Sequence, residues 1–185
     1  MRATRTTIIL LTGLLLLTGC SWPTLGPSVQ TLAKVEGWRP GLEEDAFAVL
    51  EIAYDDATAR ALWEENVPAD LPRREGTPLE AGVFGELGDV DFAEQVVALY
   101  SSGQSGSCPG WVRDVDHDGA GTVDVTRAED MRGGDGCTDD YNAFRVVVAL
   151  DREDVPDSAD LPGVTGTVDG LAVLTLVVGE YPVAP

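Results

Sequence analysis

Basic residues are scarce in this chain. Twelve Lys and Arg face 32 Asp and Glu, for a formal charge of −20, and Lys34 is the only lysine. With no basic patch to displace counterions from phosphates, nucleic acid is a poor partner. A peripheral electrostatic grip on anionic lipid is disfavoured for the same reason. Histidine is rarer still, His117 alone, so a nucleophile–His–acid triad is hard to assemble. No glycine loop of the phosphate-cradling kind is present. Cysteine occurs three times, at 20, 108 and 137, with no C-x-x-C pair and no basic cluster to stabilise a thiolate. Beyond the first twenty residues, the run Leu171 to Val178 is a buried strand, too short to cross a bilayer as a helix.

The start of the chain is the most specific stretch. Arg2 and Arg5 give a short basic region, and Ile8 to Leu17 form an apolar run broken only by Thr12 and Gly13. That length and those flanks suit a secretory signal and not a membrane span. Leu17-Thr18-Gly19-Cys20 resembles a bacterial lipobox. The resemblance implies a signal peptide over 1–19, a diacylglyceryl anchor on the Cys20 thiol, and a location on the extracytoplasmic face of the cell membrane. Loss of Arg2 and Arg5 would leave the mature chain more acidic by two charges. The plain reading of that acidity is a soluble, self-repelling surface.

Residues 20–41, with Pro23, Pro27 and Pro40 and scattered glycines, read as a lipid-anchored tether. Residues 42–185 read as a β-rich extracytoplasmic domain. Ala46 to Tyr54 is a buried strand by its apolar and aromatic content. Asp55 then caps a short helix, Ala57 to Asn66, which Pro68 follows and whose inward face is read as Ala57, Ala61, Leu62 and Trp63. Residues 67–88 form a long proline- and glycine-rich loop, and a loop of that size is a candidate contact surface. Asp91 to Tyr100 and Tyr141 to Leu150 read as further strands, and 151–163 as an acidic loop. Asp169-Gly170 suits a turn between Val164–Val168 and the strand beginning at Leu171. The fold class expected is mainly β with one short α-helix: a single compact antiparallel β-sandwich or barrel-like domain.

Trp111 to Asp116 and Thr122 to Thr126, joined by an Asp- and Gly-rich turn, read as a hairpin. Val112, Val115, Val123 and Val125 alternate only in part. With Cys20 lipidated, Cys108 and Cys137 are an even pair in an oxidising compartment, so a disulfide clasping this hairpin is expected. By chain entropy it would contribute roughly 3–4 kcal/mol.

Within the hairpin, Asp114-Val115-Asp116-His117-Asp118-Gly119 matches the opening of a calcium loop, whose alternate oxygens surround a hard cation and whose glycine makes the sharp turn. The match then breaks, because Val125 stands where a bidentate glutamate is needed and Asp124 sits one place early. Asp114, Asp116, Asp118 and Asp124 are therefore candidate calcium ligands, against the plainer reading of an acidic turn. Gly106-Ser107-Cys108-Pro109-Gly110 has the outline of a nucleophile elbow. Pro109 and the strand that follows argue against one. Ser101, Ser102, Gly103, Gln104, Ser105, Gly106 and Ser107 form a flexible run and the second candidate partner-binding loop.

The strand and short helix carrying a Leu-Trp pair (Ile52 to Trp63), then Val90-Asp91-Phe92 with Val96-Val97 beyond, resemble the C-terminal domain of the protease-complex subunit PrcB. Ser105-Gly106-Ser107-Cys108-Pro109 and Cys137-Thr138-Asp139-Asp140-Tyr141 resemble an uncharacterised group of secreted actinobacterial lipoproteins. The PrcB likeness spans about 46–150 and implies a β-rich, non-catalytic module that binds or helps assemble another exported protein. Two other classes stand beside it. A carboxylate-dependent envelope hydrolase requires converging acids with perturbed pKa values in a pocket, and a calcium-stabilised envelope protein requires the Asp-rich turn to hold the ion.

Overall fold

Three strands of near-continuous apolar sequence make the centre of the molecule: β2 (Ala48–Ala53), β4 (Gln95–Gln104) and β7 (Asn142–Asp151). Such runs form when both faces of a sheet are covered, and here both are. The computed structural model describes residues 29–40, 48–131, 136–171 and 173–178. Around the centre lie β1 (Val29–Glu36), β3 (Gly82–Val83), β5 (Gly110–His117), β6 (Thr122–Glu129), β8 (Thr165–Val168) and β9 (Val173–Val178). All nine join one sheet in the order β3-β1-β7-β4-β2-β9-β8-β6-β5. The sheet curls until β5 comes back against β1 and β7, giving a half-barrel.

The inner face carries the larger core. Leu50, Ile52, Val96, Ala98, Tyr100, Phe144, Val146 and Val148 pack against Val112, Val115, Val123 and Val125 of the hairpin. The imperfect alternation of the hairpin has a structural cause: a bulge between Val112 and Asp114 inserts one residue, so Val112 and Val115 both point inward. The outer face is covered by α1 (Asp56–Asn66), which lays Ala59 and Leu62 on Ala53, Val97, Leu99 and Val147. Asp55 caps that helix by accepting from the Thr58 backbone amide. Its inward face is Ala59, Leu62 and Asn66 with Trp63 packed beside them, whereas Ala57 is exposed.

Four expectations need correction. First, the tether over 20–41 contains β1, which pairs with β7 along its length and is buried at Leu32, Ala33, Lys34 and Val35. Its Gln, Thr, Lys and Glu suggest solvent, yet they sit in a paired strand. Second, β4 runs on through Ser101, Ser102, Gly103 and Gln104, hydrogen-bonded to β7, so these four are strand and not loop. Third, two pairings are parallel, β2 with β9 and β6 with β8; the sheet is mixed, not antiparallel. Fourth, the loop over 67–88 contributes β3 to the sheet edge. The expected turn at Asp169-Gly170 is present, with both residues at positive φ, and it joins β8 to β9. Residues 1–28, which include Cys20 and the expected signal peptide, lie outside the described residues.

Two buried arginine networks tie the outer face. Arg39 grips Glu51, which is almost fully buried on β2, through Nε at 2.5 Å and Nη2 at 3.0 Å. Arg145 on β7 donates from Nε and Nη2 to the carbonyl of Asn66 at 3.1 and 2.9 Å. Its Nη1 reaches the carbonyls of Glu36, Gly37 and Trp38 at 3.1–3.2 Å. The helix has no basic residue in its last turn; Arg145 brings one to its negative end through space.

Candidate functional site

The mouth of the half-barrel is a cleft of about 650 Å³. Its walls follow from strand parity. Lys34 and Glu36 on β1, Gln104 on β4 and Asn142 on β7 all alternate to the inner side at the strand ends, where Lys34 faces Val146 and Gln104 faces Asn142 across the ladders. Leu79, Glu80 and Ala81 before β3, and Gly106 and Pro109 beyond β4, add to the lining. Barrel mouths are common ligand sites because side chains from several strands meet there around a gap in the packing.

Lys34 is buried at the floor, with Nζ donating to the carbonyls of Leu79 (3.2 Å) and Gly110 (2.6 Å) and to Gln104 Oε1 (3.0 Å). The ammonium also stands 5.1 Å from the centre of the Phe144 ring. Burial of a charge costs several kcal/mol unless its donors are met; here three acceptors and a ring face meet them. Phe144 in turn packs edge-on against Tyr100, so the ring separates the polar cleft from the apolar interior.

The far rim is fixed covalently. Cys108, itself buried, is joined to Cys137 with their Cα atoms 5.5 Å apart. This brings the strap 138–140 onto the loop 105–107. Asp140 accepts from the Gly106 amide (3.1 Å), from Asn142 Nδ2 (2.7 Å), from Ser105 Oγ (3.2 Å) and from Thr138 Oγ1. The Thr138 hydroxyl foremost, with the Gly106 amide, holds this carboxyl down at about 2. Beside it the Tyr141 ring lies over Gly103: a Cβ at that glycine would fall 1.8 Å from Tyr141 Cε2. The close approach requires glycine there, and it leaves the tyrosine 63 % exposed.

The fourteen residues singled out in the sequence fall in different places. Ser101 and Ser102 are buried in β4 and are not among the residues lining this cleft, and the Ser101 hydroxyl has no hydrogen-bond partner among the described residues. Gly103 underlies Tyr141, and Gln104 and Gly106 line the cleft. Ser105 and Ser107 bond the Thr138 hydroxyl at 2.9 and 3.0 Å, fastening the loop to the strap. Cys108 and Cys137 form the expected disulfide. The two candidate contact segments, 67–88 and 101–107, thus both line one cleft.

The four aspartates do not form a calcium loop. Asp118 closes the hairpin turn by accepting from the amides of Ala120 (2.8 Å) and Thr122 (2.9 Å), and these backbone bonds, Thr122 first, lower its pKa. Asp124 faces the other way, toward Thr167 Oγ1 (2.5 Å) and the Gly170 amide (2.8 Å). Asp114 and Asp116 stand on β5 beside Asp154. Among the described residues no group of three or more His, Cys, Asp or Glu is placed to hold a metal ion. The physical reason is that β-strand pairing spreads the D-x-D-x-D spacing along a ladder, where a calcium loop must wrap it around a point.

Asp154 is the carboxyl pushed upward, to about 6, by burial first and then by Asp151, Glu153, Asp114 and Asp116. It belongs to a separate acidic surface and lines no part of the cleft. The two strongly perturbed acids, Asp140 and Asp154, therefore do not share a pocket. Sequence reading missed Lys34, Glu36, Tyr141 and Asn142 as cleft residues. A signal existed for the first, since a lone lysine in so acidic a chain is an outlier, but it lay in what read as tether.

No protein-family model, curated protein or solved structure matches this chain.

Proposed function

We propose that this chain is a lipoprotein held to the extracytoplasmic face of the membrane through Cys20, and that its folded part is a non-catalytic module that binds or helps assemble another exported protein. The observation that carries the reading is convergence. Two segments separated by the start of β4, 67–88 and 101–107, both supply lining residues of one cleft, and a disulfide beside the second braces it. A preformed, braced cleft binds without paying to order its loops. The Cys108–Cys137 bond supports an oxidising compartment.

A hydrolase working through paired carboxylates is the competing reading, and the perturbed acids give it little support because they sit apart. The test is made on the lipidated protein in its host. A photo-crosslinking amino acid at position 141 should give one discrete adduct with another exported protein, lost in the Cys108→Ser variant. Mass spectrometry of the amino-terminal peptide should find a diacylglyceryl group on Cys20. Absence of any adduct at 141, or an unmodified Cys20, would sink the corresponding half of the proposal.

A further inference from the structure

We infer that the cleft clasps an extended peptide segment of the partner, holding the N–H and C=O of one of its residues between the side-chain amides of Asn142 and Gln104. This clasp rests on the cleft being the contact surface proposed above, and it names the chemistry the partner presents there. The fold fixes one donor and one acceptor side by side and leaves both open.

Gln104 on β4 and Asn142 on β7 are direct cross-strand partners, so their side chains stand on one face of the sheet, and both line the cleft. Gln104 Oε1 accepts from Lys34 Nζ at 3.0 Å and from the Gly110 amide at 2.9 Å. Those two donors fix which end of the carboxamide is oxygen, and its NH₂ group remains as a donor. Asn142 donates from Nδ2 to Asp140 at 2.7 Å, which fixes the second amide and leaves its Oδ1 as an acceptor. Neither the Gln104 NH₂ group nor Asn142 Oδ1 has a partner among the described residues. Lys34 is buried and also donates to the carbonyls of Leu79 and Gly110, so Gln104 is braced from within the fold.

A residue in extended conformation presents its own N–H and C=O on one edge, the pattern by which antiparallel strands exchange hydrogen bonds. Such a residue meets the pair with both groups: its C=O accepts from Gln104, and its N–H donates to Asn142 Oδ1. The ordinary route to that exchange is a free sheet edge. It is closed here, because β1, β7 and β4 each have a strand on both sides. Two side-chain amides projecting from the sheet offer the same hydrogen bonds without an edge.

The rest of the lining selects the peptide's side chains. Leu79, Ala81, Pro109 and Ala143 give apolar walls, of the kind that receive alternate side chains of an extended segment. Charge adds a sign. Glu36 stands exposed at the lip, Asp140 lies against Asn142, and Glu80 is 2.9 Å from Arg74. The Lys34 ammonium is already met by three acceptors. With a formal charge of −20 on the whole chain, the field at the cleft opposes an acidic peptide and favours one carrying Lys or Arg.

The experiment is an NMR titration of the isotope-labelled, detergent-solubilised full-length protein with acetyl-Ala-Ala-Lys-Ala-Ala-amide and with its counterparts carrying Ala or Glu in place of Lys. The side-chain amide resonances of Gln104 and Asn142 should shift on addition, with affinity falling in the order Lys, Ala, Glu. Gln104→Glu keeps an oxygen for Lys34 and the Gly110 amide but lacks the NH₂ donor. Read with the all-alanine peptide, where the added charge has no partner, it should weaken binding by about tenfold without lowering Tm, an outcome that a merely structural role for Gln104 would not give. The all-alanine peptide N-methylated at every residue has no residue N–H for Asn142 and should also bind about tenfold more weakly. No shift of either resonance at millimolar peptide, or binding indifferent to both Gln104→Glu and N-methylation, overturns the clasp. If it fails while the position-141 adduct persists, the binding-module reading stands on another surface. If the peptides bind and no adduct forms, the clasp stands and the exported-protein partner falls.

Discussion

Replacement of Arg145 by methionine tests how the outer face is held together. The guanidinium is 9 % exposed and makes five contacts, all to backbone carbonyls. Burial pulls its pKa below the ordinary value, yet a guanidinium stays charged in proteins. Methionine keeps much of the side-chain stem and removes the donors. The Asn66 carbonyl, whose two bonds to Arg145 are buried, then loses its partner at a cost of about 1–3 kcal/mol. The carbonyls of Glu36, Gly37 and Trp38 are only partly buried and regain water, which limits their share to about 1–2 kcal/mol. The helix terminus loses about 0.3–1 kcal/mol of favourable dipole interaction. The sum, about 2–6 kcal/mol, brackets the roughly 3–5 kcal/mol that breaking a buried charged pair costs elsewhere. Urea unfolding followed by far-ultraviolet circular dichroism should show the midpoint falling with the slope unchanged, and Tm should drop by about 10 °C. Arg145→Lys should recover only part, because one ammonium cannot span the helix end and the β1 exit together. A methionine variant within about 1 kcal/mol of the parent would refute the reasoning.

Four other outcomes follow from the same structure. Reduction of Cys108–Cys137, or its replacement by two serines, should cost roughly 3–4 kcal/mol and broaden the amide resonances of 105–107 and 138–140, as seen by calorimetry and NMR. Asp154 titrates near 3.8 when unfolded and near 6 when folded, so between those values the folded chain keeps a proton that the unfolded chain has lost. Stability should therefore fall as pH rises through that window, and Asp154→Asn should melt higher than the parent above it and equally below it. Asp140 runs the other way: its folded value near 2 lies below 3.8, so its contribution is present above pH ~3.8 and is lost as pH falls toward ~2; melting curves of Asp140→Asn against pH check the sign. Millimolar calcium should leave Tm unchanged, since Asp118 and Asp124 are spent on backbone amides; a rise of several degrees would show that the hairpin turn rearranges around the ion.

The sequence by itself determined the features governed by local chemistry and by counting. Asp55 before a run of helix formers makes an N-cap wherever it occurs, and Asp169-Gly170 makes a tight turn because both residues tolerate positive φ. An even pair of cysteines beside a lipobox-like start had one pairing open to it. The apolar runs of β2, β4 and β7 announced buried strands, and that of β9 announced a strand, although Leu171 and Thr175 are exposed and Leu176 and Val177 only partly buried. What only the tertiary structure decided is where polar residues are buried, since that depends on partners distant in the chain. VQTLAKVE becomes a largely buried strand because β7 pairs with it and because carbonyls 45 and 76 residues away receive the Lys34 ammonium. Ser101 to Gln104 continues a strand because β7 lies along it and Tyr141 covers Gly103. The cleft appears only when the sheet curls: its lysine, glutamine and asparagine come from three strands distant in the chain, and their shared direction is set by strand register.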